Sequence, residues 1–214
     1  MATLSDSSVI QPQGKVGGFT FYKLNGKIIM RSLPRAPHKN GTNPTPLQKV
    51  YQNRLAEVND YLRPLSRVLD FGYQNYLDQK TGVNLAHTNV STKGYNHTAN
   101  PRINPAFLQI SRGSLLGAES PLAVRTIDGI TISWKDNSVE GNASEGDSVM
   151  ILLNQPELQK HIWIKEAGKR RDLQGLAPLE GENSEKEWEV YLTFYRPLNN
   201  KKLVISDSMY LGRC

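Results

Sequence analysis

Near Phe107 the spacing of apolar residues changes from that of a helix to that of a strand. Upstream, Leu47, Val50, Tyr51, Leu55, Val58, Leu62, Leu65 and Leu69 recur every three or four residues, as the buried face of a helix requires. Downstream, Ile130, Ile132 and Trp134 alternate with Thr131 and Ser133, and Val190, Leu192 and Phe194 alternate with Tyr191, Thr193 and Tyr195. That period of two belongs to strands with one buried face. The change divides the chain into an α+β part, residues 1–115, and an all-β part, residues 116–214.

The first part opens with a hairpin. Two β-rich runs, Phe19 to Leu24 and Lys27 to Leu33, flank Asn25-Gly26, a pair that tolerates the positive φ of a type I′ turn. A two-residue loop pairs Leu24 with Lys27 and Phe21 with Met30. One face then holds Phe19, Phe21, Ile28 and Met30, suited to burial, and the other is mixed. Gly14, Gly17 and Gly18 predict a sharp bend or close backbone approach just before it. After a proline-rich connector, Thr45 caps a helix, Pro46 suits its first position and Gln48 completes a capping box. This helix is expected over 46–77, kinked or split near 60–63 by Pro64. A second, over about 82–92, turns Val83, Ala86, His87 and Val90 inward, and 93–105 reads as a loop.

The second part reads as short strands at 106–111, 122–127, 129–135, 147–153, 160–165, 187–195 and 202–211. Their spacing and turn residues suit an antiparallel sandwich.

Charge is unevenly spread. Residues 1–115 carry 14 Lys and Arg against 5 Asp and Glu, and residues 116–214 carry 12 against 15. No acidic residue lies between Asp6 and Glu57. Within that basic stretch, 15–54, Lys23, Lys27, Arg31 and Arg35 are candidate contacts for an anion, with Tyr22 placed to stack on a base. Hairpin geometry sets Lys27 and Arg31 on one side and Lys23 on the other, which argues against a continuous phosphate track. No apolar run approaches the roughly 20 residues of a membrane-spanning helix. The first residues lack the pattern of a secretory signal, so the default expectation is the cytoplasm. The single cysteine, Cys214, has no internal partner for a disulfide.

Catalytic and cofactor motifs are missing. Gly26-Lys27 lacks the rest of a phosphate-binding loop, and Gly14, Gly17 and Gly18 do not make a dinucleotide fingerprint. His38, His87, His97 and His161 are scattered without metal-ligand spacing. No cofactor is called for. One string, Asp136 to Asp147, places oxygen side chains such as Asp136, Ser138, Glu140 and Asp147 at calcium-loop spacing around Gly141. Its flanks are strands instead of helices, Ser and Asp stand where the usual carboxyl and bidentate Glu ligands would be, and an ordinary polar inter-strand loop explains the composition better.

The strings GKVGGFTFYKLNGKIIMRSLP (14–34), TPLQKVYQNR (45–54), ISRGSL (110–115), ITISWKDN (130–137), GDSVMILL (146–153) and SDSMYLG (206–212) carry a resemblance over nearly the whole chain. They resemble an uncharacterised domain family, abundant in Bacteroidetes, for which no catalytic residues can be carried over. Within residues 118–214, Trp134 ending an early strand, Tyr191 in a late one and Ser206-Asp207-Ser208 resemble a fibronectin type III module, an immunoglobulin-like sandwich. That likeness implies an adhesive or spacer role. The expected function is therefore a non-enzymatic interaction or assembly protein, with protein partners or self-association. The alternatives are an anionic-ligand or nucleic-acid binder using 15–54, and a carbohydrate-binding module if Trp134 is exposed as a platform.

Overall fold

The structure, a computed structural model, describes residues 2–4, 12–24, 26–33, 43–78, 80–183, 185–198 and 203–214. It divides into two compact units, Met1–Lys49 and Val50–Cys214.

The first unit is an antiparallel sheet of β1 (Ala2–Leu4), β2 (Gly14–Val16), β3 (Phe19–Leu24) and β4 (Lys27–Ser32), in the order β1-β4-β3-β2. The expected hairpin register is present: Leu24 lies opposite Lys27 and Phe21 opposite Met30. Gly26 has φ +81°, as the tight turn demands, while Asn25 lies outside the described residues. The expected bend is the turn between β2 and β3, where Gly17 has φ +57°. One expectation changes. Ile28 and Ile29 are both buried, although they point to opposite faces, and Phe19 is exposed. The reason is position: β4 is an inner strand flanked by β1 and β3, so side chains on both sides crowd Ile28 and Ile29, whereas Phe19 lies at the end of its strand.

Helix α1 (Pro46–Leu62) begins with the predicted capping box. The Gln48 amide donates to Thr45 Oγ1 (3.2 Å), and the Thr45 amide donates to Gln48 Oε1 (2.8 Å). Pro64 ends the helix as expected, through a 3₁₀ turn at Arg63–Leu65 that leads into α2 (Ser66–Gly72). Helix α3 (Gly82–Asn89) follows, its N-terminus capped by Thr81. Gly82 is required there, because a Cβ would lie 2.3 Å from the Leu69 carbonyl carbon.

The remaining strands are β5 (Glu119–Thr126), β6 (Gly129–Lys135), β7 (Ser148–Gln155), β8 (Lys160–Ile164), β9 (Gln174–Pro178), β10 (Glu189–Pro197), β11 (Leu203–Ile205) and β12 (Met209–Arg213). They form two antiparallel sheets, β5-β6-β9 and β11-β10-β7-β8, with β12 also pairing with β10. The chain is thus a mixed α+β protein. Val149, Ile151 and Leu153 of β7 join Val190, Leu192 and Phe194 of β10 in one core with Ile130, Ile132 and Trp134 of β6. Met150, Leu152, Tyr191 and Tyr195, from the opposite face of the same two strands, join a second core with Val58, Leu62, Leu65, Leu69, Ala86 and Val90. The sheet centred on β7 and β10 is buried on both faces.

The strands differ from expectation at three places. Residues 106–111 form no strand, because their polar groups bond to side chains and other loops. The Ile110 amide donates to Ser208 Oγ (2.9 Å), and Tyr73 Oη donates to the Gln109 carbonyl (2.9 Å). The strand at Gln174–Pro178 was not expected: Gln-Gly-Leu-Ala-Pro has weak β propensity, and pairing with β6 makes it an edge strand. The expected strand at 202–211 is two strands, separated at Ser206–Ser208. Val58, Leu62, Leu65, Leu69, Ala86 and Val90 pack with the sheets, within the compact unit Val50–Cys214.

Candidate functional site

The basic candidates lie in the first unit. Its residues 1–49 hold seven Lys and Arg against one Asp and so carry the whole net charge of +6. Strand register sorts the side chains, since directly opposed residues of an antiparallel pair share a face. Lys15 lies opposite Thr20, Thr20 opposite Arg31, Tyr22 opposite Ile29 and Leu24 opposite Lys27. Lys15, Lys27 and Arg31 therefore share a face with half-buried Tyr22. Lys23, opposite Ile28, lies on the other. Arg35 lies outside the described residues.

The calcium-loop candidates are not brought together. Asp136 is exposed, and its Oδ1 accepts the Ser138 amide (3.0 Å). Glu140 is exposed. Asp147 is fully buried, and its oxygens serve two arginines: Arg170 Nε at 3.0 Å and Arg196 Nε at 2.7 Å. Among the described residues, no group of three or more His, Cys, Asp or Glu is placed to hold a metal ion. Trp134 is also interior. Its ring meets Phe194 edge-on at 5.3 Å, and its indole N–H donates to the Arg170 carbonyl (2.9 Å). The platform required by the carbohydrate alternative is absent at this residue.

A cavity of about 480 Å³ lies in the second unit, at the end of the sheet that the helices cover. Its construction starts with strand register. Glu189 of β10 lies opposite Asn154 of β7 on one side and opposite Arg213 of β12 on the other, so a polar row crosses three strands. The last turns of α1 add Glu57, Asp60 and Tyr61, whose spacing of three and four puts them on one helix face. Pro64, Pro101, Ile103, Pro105 and Pro156 supply apolar walls. Pro156 opens a 3₁₀ turn that carries Glu157 to the rim.

Arg213 dominates the electrostatics. Its guanidinium meets Glu157 at 2.7 Å, Glu189 at 2.8 Å and Glu187 at 3.4 Å. Hydrogen bonds to Glu157 and Glu189 hold its proton more tightly than usual. Tyr210 Oη donates to Glu189 at 2.5 Å, and burial together with this bond pushes the phenol up. Arg102 pairs with Glu57, which also accepts from Tyr95 Oη (2.8 Å). Burial raises Tyr61 to about 12, so its hydroxyl keeps its proton at neutral pH. Tyr61 Oη sits near Tyr191 and Asn154, but none of these contacts has hydrogen-bond geometry. Asn154 Nδ2 is likewise buried without a partner.

A model of a family of unknown function, DUF6266, matches residues 11–212. The chain belongs to that family. No curated protein and no solved structure matches it. For this DUF6266 member, then, the site rests on geometry alone. Sequence reasoning missed the cavity because its polar residues come from five separate segments. One signal was legible: the unbroken apolar run Val149–Leu153, which marks a strand buried on both faces and so implies a covering layer.

Proposed function

We propose that this protein is a non-enzymatic interaction and assembly protein that associates with further copies of itself. The observation that supports this is the N-terminal half of α1. There Leu47, Val50, Tyr51 and Leu55 are each at least half exposed, whereas Val58 and Leu62 farther along the helix are fully buried. Apolar residues at this helical spacing are anchors for helix-in-groove recognition, and an uncovered apolar stripe marks an interaction surface.

The finer fold reading is an immunoglobulin-like sandwich of the fibronectin type III kind, a common architecture for adhesive and spacer modules. Counting strands from β5, the first, second and fifth share one sheet, and the third, fourth, sixth and seventh share the other. This partition supports that reading, with the fourth strand, β8, beside the third as in sandwiches whose C′ strand joins the sheet of strands C, F and G.

Sedimentation velocity across a concentration series tests the assembly reading. The wild type is expected to form concentration-dependent oligomers, and Tyr51→Glu with Leu55→Lys to remain monomeric. A wild type that stays monomeric at the highest concentration would overturn the reading.

The concentration of net charge in residues 1–49 supports a second reading, weak binding of nucleic acid through Lys15, Lys27 and Arg31. Because Lys23 lies on the opposite face, affinity is expected only in the non-specific range, roughly 10⁻⁴–10⁻⁶ M at physiological salt. Titration with single- and double-stranded DNA at two salt concentrations measures it. Loss of binding in Lys27→Glu with Arg31→Glu supports this reading, and unchanged binding rejects it.

A further inference from the structure

The cavity over the Asn154–Glu189–Arg213 row combines two features that point to one kind of ligand. The first is charge. Four carboxylates line it, Glu57, Asp60, Glu157 and Glu189, against the guanidinium groups of Arg102 and Arg213. Arg213 is moreover shared with Glu187 outside the cavity. The lining therefore holds more carboxylates than guanidinium groups, beside apolar walls. A cation gains there, and a phosphate or carboxylate is repelled.

The second feature is an unmade hydrogen bond. Asn154 is 4% exposed and lines the cavity, yet its Nδ2 has no acceptor. A buried donor left unpaired is unfavourable, so a ligand that supplies an acceptor recovers that loss. The protonated Tyr61 hydroxyl beside it is a second donor. A bare ammonium or guanidinium ion cannot answer these groups, because it has no acceptor. A neutral carbonyl can.

We infer that this cavity binds an extended peptide segment bearing a basic side chain, with a backbone carbonyl accepting from Asn154 Nδ2 and the cationic group set between Asp60 and Glu157. A volume of about 480 Å³ lies within the range of small-ligand sites, and it fits two or three residues rather than a folded surface. Asp60 and Glu157 are the more accessible partners: their side chains are more than half exposed, Asp60 meets only Arg63, at 3.7 Å, among the described residues, and Glu157 shares Arg213 with Glu187 and Glu189, whereas Glu189 is buried and held by both Arg213 and Tyr210. The proline walls suit an extended backbone, which stacks on them without needing further donors. This site does not use the apolar stripe of α1.

Calorimetric titration of the full chain with N-acetyl-Gly-Arg-Gly-amide tests the inference. N-acetyl-Gly-Glu-Gly-amide, N-acetyl-Gly-Gly-Gly-amide and methylguanidinium serve as comparison ligands. The arginyl peptide is expected to bind at least about tenfold more tightly than each of the three. Asp60→Asn with Glu157→Gln changes two exposed side chains and should weaken the arginyl peptide about tenfold with the melting temperature unchanged. Asn154→Leu should weaken the arginyl peptide while leaving methylguanidinium unaffected. If that variant does not fold, the side-chain amide signal of Asn154 in the wild type gives the same information: it should shift with the peptide and not with methylguanidinium. Absence of saturable binding by the arginyl peptide, equal binding of the glutamyl peptide, or an unchanged affinity in the Asp60/Glu157 variant would overturn the proposal.

Discussion

Arg170 and Asp147 form an ion pair, 3.0 Å from Nε to Oδ2, in which neither side chain touches solvent. The guanidinium is otherwise satisfied by the Leu116 and Gly117 carbonyls and Asn137 Oδ1, and it stacks 3.9 Å over the Phe194 ring. One residue thereby ties the segment leading into β5, the loop after β6 and the core strand β10 together. Removing one partner of such a pair strands the other in a medium that cannot solvate it. Asp147→Ala is expected to destabilise the protein by about 3–5 kcal/mol, read from urea unfolding. A loss below about 1 kcal/mol would show that water or another carboxylate takes the place of Asp147 beside Arg170 and Arg196.

The same pair bears on calcium. For the ion to be bound in the loop 136–147, Asp147 would have to leave two arginines. Millimolar calcium added to chelator-treated protein should leave the melting temperature unchanged, since a ligand of the native state must raise it. A rise of several degrees rejects this account of the loop.

Thr45→Ala should cost about 1 kcal/mol, because the Gln48 amide loses its acceptor at the start of α1. Amide exchange offers the local check: Gln48 should exchange faster in the variant, while amides of β7 keep their protection.

Trp134→Ala should cost about 3–5 kcal/mol, since the indole fills the core between the sheets against Phe194. Trp134→Phe keeps the ring and should lose less, leaving only the Arg170 carbonyl without its donor. Equal losses in the two variants would mean that the hydrogen bond outweighs the packing.

His87 gives a pH dependence. Burial, followed by the nearby charge of Arg54, lowers its pKa below the ordinary 6.5, and its Nε2 is buried without a partner. The unfolded chain therefore binds the proton more readily than the folded one. The stability contributed by neutral His87 is complete above pH 6.5 and declines as pH falls through 6.5 toward the lowered value. His161 is shifted in the same direction by burial and adds to the decline. Urea midpoints should drop between about pH 7.5 and about pH 5.5, and His87→Gln should flatten that drop. An imidazole titration by NMR with a midpoint at or above 6.5 would reject this assignment.

Local chemistry makes some of this legible in the sequence alone. The Thr45–Gln48 box, the break at Pro64, the hairpin register across Leu24 and Lys27, and the interior place of Trp134 all follow from residues close in sequence. What escaped depends on distant pairing. Gln174–Pro178 becomes a strand only because β6 offers it an edge, and residues 106–111 lose their ladder to Ser208 and Tyr73. The candidate cavity was hidden for the same reason: Glu57, Asn154, Glu189 and Arg213 are unremarkable separately and meet only through α1 and the register of β7, β10 and β12.

Because β7 and β10 are clothed on both sides, the strand-rich half of the chain has no finished outer skin. A fragment covering only residues 116–214 would present Met150, Leu152, Tyr191 and Tyr195 to water as one greasy sheet face. Such a fragment is an aggregation template rather than a bead that evolution or an engineer could restring. The smallest transplantable piece begins near Val50, with the helices travelling along as part of the sheet's own upholstery.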